Sequence, residues 1–154
     1  MQVFIMRHGE AEMFANTDSE RALNQAGLQE VGKMAAYLAP KLTKLDYVLL
    51  SPYLRAQQTW QCLAEYLPEP SRLIEMEELT PSGDEAAVIG LIHELGIEQP
   101  TATVLVVSHL PLVGYLVGGL AAEAGAPLFS TAAVAELSLT DSHDLVSLQH
   151  PISL

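Results

Sequence analysis

The sequence predicts an α/β fold, a three-layer α/β/α arrangement around a mostly parallel sheet of about six strands. Three observations predict it. Short apolar runs alternate with segments of helical period. The runs are nearly continuous in Val, Ile and Leu, as strands covered on both faces are. The last strand signals come as a closely spaced pair, which reads as a hairpin closing the sheet.

Taken in order, Val3–Met6 is the first buried strand. Leu28, Val31, Ala35 and Leu38 recur at spacings that place them on one face of a helix, which Pro40 closes. Tyr47–Leu50 is a second strand, ended by Ser51-Pro52. Ala56, Trp60, Leu63 and Leu67 mark a second helix, stopped by Pro68 and Pro70, and Arg72–Met76 is a short third strand. Asp84 is placed to cap a helix carrying Val88, Leu91, Ile92 and Leu95, with Gly96 as its stop. Val104–Val107 is a strand rich in β-branched residues, and a helix runs from Leu112 to about Ala122. From Ala133 the pattern shortens to alternation through Val134, Leu137 and Leu139, then Leu145, Val146 and Leu148. With 154 residues and no linker or repeat, the chain reads as one domain over 1–154.

Composition narrows the function. The apolar fraction of 49% and charged fraction of 17% describe a globular protein. A net charge of −12 argues against nucleic acid or an anionic membrane as partner. The single cysteine, Cys62, forms no internal disulfide and reads as a small apolar helix residue rather than a reactive thiol. No secretory signal or membrane-length run is visible, so the cytoplasm is expected. No coiled coil suggests assembly, and a monomer is expected.

Ligands of such sheets bind outside the carboxyl ends of the strands. Arg7-His8-Gly9 falls after the first strand, Arg55 opens the helix after the second, and His109 follows the Val104–Val107 strand. All therefore converge on one sheet edge. Phosphoryl transfer through a covalent intermediate needs a nucleophile and cations on the phosphoryl oxygens. His8 suits the nucleophile, Arg7 and Arg55 offer planar forks of donors, and His109 is a further positive or donor group. Gly9 allows a sharp turn. A metal is the competing use of His8 and His109. Neither has a second ligand at helical spacing, and the arginines would repel a divalent cation, so no metal or cofactor is expected. His93, His143 and His150 read as solvated histidines.

The segments Arg7-His8-Gly9-Glu10-Ala11, Arg21–Gly27, Ser51–Thr59 and Val106-Val107-Ser108-His109 resemble, in order, the motifs of the histidine phosphatase (phosphoglycerate mutase-like) superfamily. Within it, Glu78–Asp84 and Ser108–Gly114 are similar to the SixA-type phosphohistidine phosphatases. The resemblance implies the phosphoglycerate mutase-like fold, His8 as phospho-acceptor, and Arg7, Arg55 and His109 as the phosphate pocket. It also implies a cytoplasmic enzyme acting on histidine-phosphorylated signalling or phosphotransfer proteins, with inorganic phosphate as product. Ala22 and Asn24 stand where the superfamily often has Pro and Thr. Arg21 accordingly either joins the phosphate pocket or is held by a neighbouring carboxylate. The stretch from Thr59 to Asp84 is too short for a helical roof, so an open pocket suited to a protein-borne phosphate is expected. Glu10, Glu12, Asp18, Glu77 and Glu78 are the carboxyl groups near the motifs. Glu78 is favoured among them, as a general acid or as a carboxylate orienting Arg7 or Arg55. An imidazole leaving group, with its ordinary pKa near 6.5, needs no such acid. The alternatives are a phosphomonoesterase for a small sugar phosphate or nucleotide, which would need one, and a non-catalytic phosphoprotein-binding module.

Overall fold

The computed structural model describes all residues from Met1 to Leu154. Six strands, β1 (Gln2–Arg7), β2 (Tyr47–Leu50), β3 (Arg72–Glu75), β4 (Thr103–Ser108), β5 (Val134–Leu139) and β6 (His143–Gln149), form one sheet in the order β3-β2-β4-β1-β5-β6. The β3-β2-β4-β1 portion is parallel, and β5 joins β1 antiparallel with β6 as its hairpin partner. This is the expected fold, including the closing hairpin.

Four helices cover the sheet: α1 (Gln25–Leu38), α2 (Leu54–Ala64), α3 (Glu85–Glu98) and α4 (Leu112–Leu120). The β-strand alternation splits the core into two halves. Phe4, Met6, Val48, Leu50, Leu105 and Val107 pack against α1 and α2 through Val31, Met34, Leu38 and Leu63. Val3, Ile5, Leu49, Val104 and Val106 face α3 and α4 through Val88, Ile92, Val113 and Val117. Both faces of the central strands are thus dry, which is why β4 reads as an unbroken apolar run. No helix is long and apolar enough to cross a membrane.

Some sequence boundaries shift. Leu28 is 44% exposed, and the buried face of α1 starts from Gly27 and includes Met34 instead. Leu67 lies past the end of α2, where its N–H still bonds the Leu63 carbonyl and its side chain is buried in the same core as Leu63. β3 ends at Glu75, and α4 ends at Leu120 before a 3₁₀ turn at Ala122–Ala124. Gly96 does not stop its helix: α3 continues to Glu98, and Gly96 makes room for the Met1 thioether. The cap at the other end is as expected, with the Asp84 carboxylate accepting the Ala87 N–H at 3.1 Å. Asn24 also caps, accepting the Gly27 N–H at 2.8 Å, so the exchange of Thr for Asn keeps an N-cap residue. Cys62 is half-buried on α2, and burial, then Glu65, pushes its thiol pKa up. A raised thiol is a poor nucleophile.

Candidate active site

Sheet register assembles the site. β1 and β4 are parallel neighbours with Arg7 opposite Ser108, and the His8 N–H bonds the Ser108 carbonyl at 3.0 Å. His8 and His109 therefore leave the sheet side by side, ring centroids 5.0 Å apart. β2 lies on the far side of β4, and the Ser51 N–H bonds the Val107 carbonyl at 3.1 Å, setting Ser51 against His109. The Ser51-Pro52 break then starts α2, whose first turn carries Arg55 inward. The chain after His8 turns tightly over α1. A Cβ on Gly9 would meet Val31 at 2.8 Å and the Gly27 carbonyl at 2.9 Å, and one on Gly27 would collide with the Glu10 carbonyl. Thr59 pins the same turn to α2, accepting the Gly9 N–H at 3.1 Å and donating to the Arg55 carbonyl at 2.7 Å.

The resulting cavity has a volume of about 310 Å³. Arg7, His8, Arg55 and His109 line it together with Arg21, Asp18, Glu10 and Thr131. No residue between Thr59 and Thr80 lines it. Its walls are loops and the first turn of α2, with Pro81 and Leu110 at the margin.

The protonation states follow from the partners. His8 Nδ1 sits 2.7 Å from the Gly9 carbonyl, which can only accept, so Nδ1 carries the proton. Nε2 is then the lone pair, and it accepts from Arg55 Nε at 3.3 Å. Burial, followed by Arg55, Arg7 and Arg21, lowers the His8 pKa to about 4 against the pull of the Gly9 carbonyl. The ring is neutral at neutral pH. His109 is 1% exposed. Burial, then His8 and the arginines, lowers its pKa to about 2, so it is a neutral donor and not a cation. Ser51 Oγ accepts the Tyr53 N–H at 3.2 Å and shares a hydrogen bond of 2.7 Å with His109 Nε2. His109 Nδ1 is a buried atom with no protein partner, and it carries the ring proton when Ser51 is the donor to Nε2.

Arg7 donates through Nη1 to the Phe129 carbonyl at 3.0 Å, while its Nε is buried without a partner. Burial and, less strongly, Arg55 lower its pKa against the attraction of Glu30. Glu30 on α1 accepts the Glu10 N–H at 2.9 Å and the Thr131 hydroxyl at 2.8 Å, tying both margins of the cavity together. Arg55 donates to the Asp18 carbonyl at 2.7 Å and the Asp18 carboxylate at 3.1 Å. Arg21 lines the cavity and is held by the same carboxylate at 2.9 Å. Burial nudges the Asp18 carboxyl up, but hydrogen bonds and charge from Arg55 and then Arg21 hold it below its ordinary value. Nearby, Ala132 adopts φ +62°, a left-handed conformation uncommon outside glycine, and its N–H bonds the His8 carbonyl at 2.9 Å.

Glu78 is placed elsewhere. With Glu77, Asp84 and Glu85 it lines a separate acidic groove of about 1060 Å³, and it makes no hydrogen bond to Arg7 or Arg55. That groove is larger than the cavity but holds none of its chemistry. No group of three or more His, Cys, Asp or Glu side chains is arranged to hold a metal ion. His93 and His143 are exposed and stack on each other, whereas His150 Nδ1 lies 2.8 Å from Ser130 Oγ and is partly covered. Sequence reasoning passed over Ser51 and Thr59 as site residues although both lie in the Ser51–Thr59 motif. It had no local signal for Glu30 or Thr131, which meet across the fold.

A sheet edge carrying an arginine-flanked histidine opposite a second histidine defines a class. The chain belongs to the histidine phosphatase superfamily (branch 1), whose family model matches residues 3–80. It is 44% identical over 142 residues to phosphohistidine phosphatase SixA of Escherichia coli (strain K12), covering 92% of this chain and 88% of that protein. It is 36% identical over 160 residues to the phosphohistidine phosphatase SixA homolog of Haemophilus influenzae, covering 99% and 96%. The solved structure of the protein histidine phosphatase SixA complexed with tungstate superposes with a TM-score of 0.93 at 41% identity, covering 99% of each chain.

Proposed function

We propose that the protein is a phosphohistidine phosphatase that removes phosphate from histidine-phosphorylated signalling or phosphotransfer proteins through a phosphorylated His8. The observation that carries this reading is the state of His8: a fixed Nδ1 proton, an Nε2 lone pair facing the cavity, and guanidinium groups around it. The reading includes a single domain over 1–154 acting as a cytoplasmic monomer without a metal or other cofactor.

The reaction proceeds in two displacements. His8 Nε2 attacks phosphorus in line with the P–N bond of the substrate, and that bond breaks. The substrate ring, which takes up a proton from solvent on its other nitrogen before cleavage, leaves as neutral imidazole. As charge spreads over the phosphorylated His8 ring, the Nδ1–H bond to the Gly9 carbonyl strengthens. Arg7, Arg55 and the His109 Nδ1–H hold the equatorial oxygens, where donors aimed at developing charge lower the barrier most. Water then attacks phosphorus, returning the electron pair to His8 Nε2 and releasing inorganic phosphate. The proton lost by water passes to phosphate or solvent.

The placement of carboxyl groups favours phosphohistidine over phosphate esters. An alkoxide leaving group needs a proton donor. Of the two carboxyl groups lining the cavity, Asp18 is held ionised by two arginines and Glu10 is exposed without an arginine partner, while Glu78 lies in another groove. An imidazole leaving group needs none of them. The test is turnover of phosphoramidate-phosphorylated histidine phosphotransfer domains beside a panel of sugar phosphates and nucleotides. Rapid-quench labelling accompanies it, followed by peptide mapping in alkali. Turnover of the domains with label on His8, lost in His8→Ala, is expected. Faster turnover of the esters would favour the phosphomonoesterase reading. Oxyanion binding without label or turnover would favour a binding module.

A further inference from the structure

Between Ala11, which lines the cavity, and Asp18, which holds Arg55, the chain carries Met13 and Phe14 side by side on the surface, 78% and 86% exposed. Single exposed apolar residues are ordinary. These two are consecutive, follow two and three residues after Ala11 of the cavity wall, and sit on a segment tied down at both ends. Ala11 bridges to Leu23, and the Glu12 N–H bonds the Ala22 carbonyl at 2.8 Å. Arg21 Nη1 donates to the Glu12 carbonyl at 3.1 Å, and Arg55 Nη1 takes the Asp18 carbonyl at 2.7 Å. A backbone fixed in this way presents its side chains with less ordering entropy left to lose on association. Exposed carboxylates of Glu10, Glu12, Asp18 and Glu20 stand along the same segment.

We propose that Met13 and Phe14 are the docking anchor for the protein that carries the phosphohistidine. The partner seats an apolar side chain on the pair and sets Lys or Arg around it against Glu10, Glu12 and Glu20, since Asp18 is already held by Arg21 and Arg55. The proposal rests on the function given above and names how that substrate is held. Continuity with the cavity is the first argument. The phosphoryl group must reach His8 Nε2 among buried side chains, so the surface around the partner's histidine closes over the segment from Ala11 to Asp18. Charge is the second. A chain of net charge −12 repels an anionic carrier at long range, and only an apolar contact with a locally basic flank offsets that. Aromatic and methionine side chains are also the types enriched at the centre of protein interfaces.

The experiment compares two substrates on three full-length variants. The reporter is whichever phosphoramidate-phosphorylated histidine phosphotransfer domain the wild type turns over fastest, and the small substrate is free phosphohistidine. Phe14→Ser and the double change Met13→Ser with Phe14→Ser should lower kcat/KM on the domain by about tenfold or more, mostly through KM. The same variants should leave kcat/KM on free phosphohistidine and tungstate affinity unchanged. Ile97→Ser is the control, since Ile97 is 80% exposed near the end of α3 at the opposite edge of the sheet, and it should change neither rate. An equal loss on both substrates would overturn the proposal and make the segment a support for Asp18 and Arg55. No loss on either substrate would overturn it. So would sedimentation showing that the pair joins two copies of this chain while domain turnover is unaffected. Turnover of free phosphohistidine with no phosphorylated domain accepted would overturn docking alone. Turnover of neither would overturn the function itself and the docking with it.

Discussion

Ser51→Ala tests the protonation logic of the site most directly. Ser51 is fully buried; its hydroxyl receives the Tyr53 N–H at 3.2 Å and lies 2.7 Å from His109 Nε2, to which the proposed mechanism has it donate. Removing it leaves a buried ring nitrogen and a backbone N–H without partners, at a cost of about 1–3 kcal/mol of stability. The larger effect is on the tautomer. Without the hydroxyl proton, His109 no longer has a reason to keep its own proton on Nδ1, and the alternative tautomer aims a lone pair at the phosphoryl oxygens. One misdirected donor in an oxyanion site costs on the order of 10²-fold in rate. Turnover of free phosphohistidine should therefore fall by about that factor while the fold persists. Long-range ¹⁵N–¹H NMR of the histidines should report the Nδ1–H form of His109 in the wild type and its loss in the variant. A wild-type His109 protonated on Nε2, or a folded variant with unchanged rate, would refute the reasoning.

Three further outcomes follow from the same geometry. Arg55→Ala removes a buried fork and leaves the exposed Asp18 carboxylate to Arg21 alone, and should weaken tungstate binding by about tenfold or more, read by calorimetry. His8 and His109 are buried neutral with pKa values of about 4 and about 2, against 6.5 when free. Depressed values mean that the unfolded chain binds these protons first, so stability is full above pH 6.5 and falls as pH drops toward 4; urea unfolding across that range should show the loss. Gly27→Ala drives a methyl group into the Glu10 carbonyl, and should cut turnover together with thermal stability, whereas Gly32→Ala, with open space around it, should be neutral or stabilising.

The strands and their order of burial were legible because β4 and β1 are apolar on both faces, and a run such as Val104–Val107 has no competing reading. Two misjudged positions have separate causes. Leu28 fits a helical spacing but is exposed, whereas Leu67, just past the end of α2, keeps the spacing and is buried with Leu63. Gly96 fits a helix stop, yet packing against Met1 carries the helix past it. Spacing reports which residues share a face, not which face meets the sheet. At the site, His8, Arg7, Arg55 and His109 were legible because each follows a strand and all strands end at one edge. Glu78 was not, because its turn hangs from Ser108 through the Leu79 carbonyl at 2.7 Å while its side chain faces the other groove. Glu30 and Thr131 meet across 101 residues of chain, and no local pattern announces such a pair.

The position of β1 also sets the order in which the molecule can be completed. It is the first strand of the chain, yet its partners are β4, beginning at Thr103, and β5, beginning at Val134. During synthesis, the strand that ends in Arg7 emerges with both edges bare and stays so until most of the chain has followed. Pairings of such long sequence separation pay their loop-closure entropy before any contact repays it, which slows folding and leaves an apolar edge open to other chains. Val3-Phe4-Ile5-Met6 is thus a segment that a nascent-chain chaperone would have to shield. His8, just past its end, acquires its full surroundings only when the chain before the closing hairpin docks.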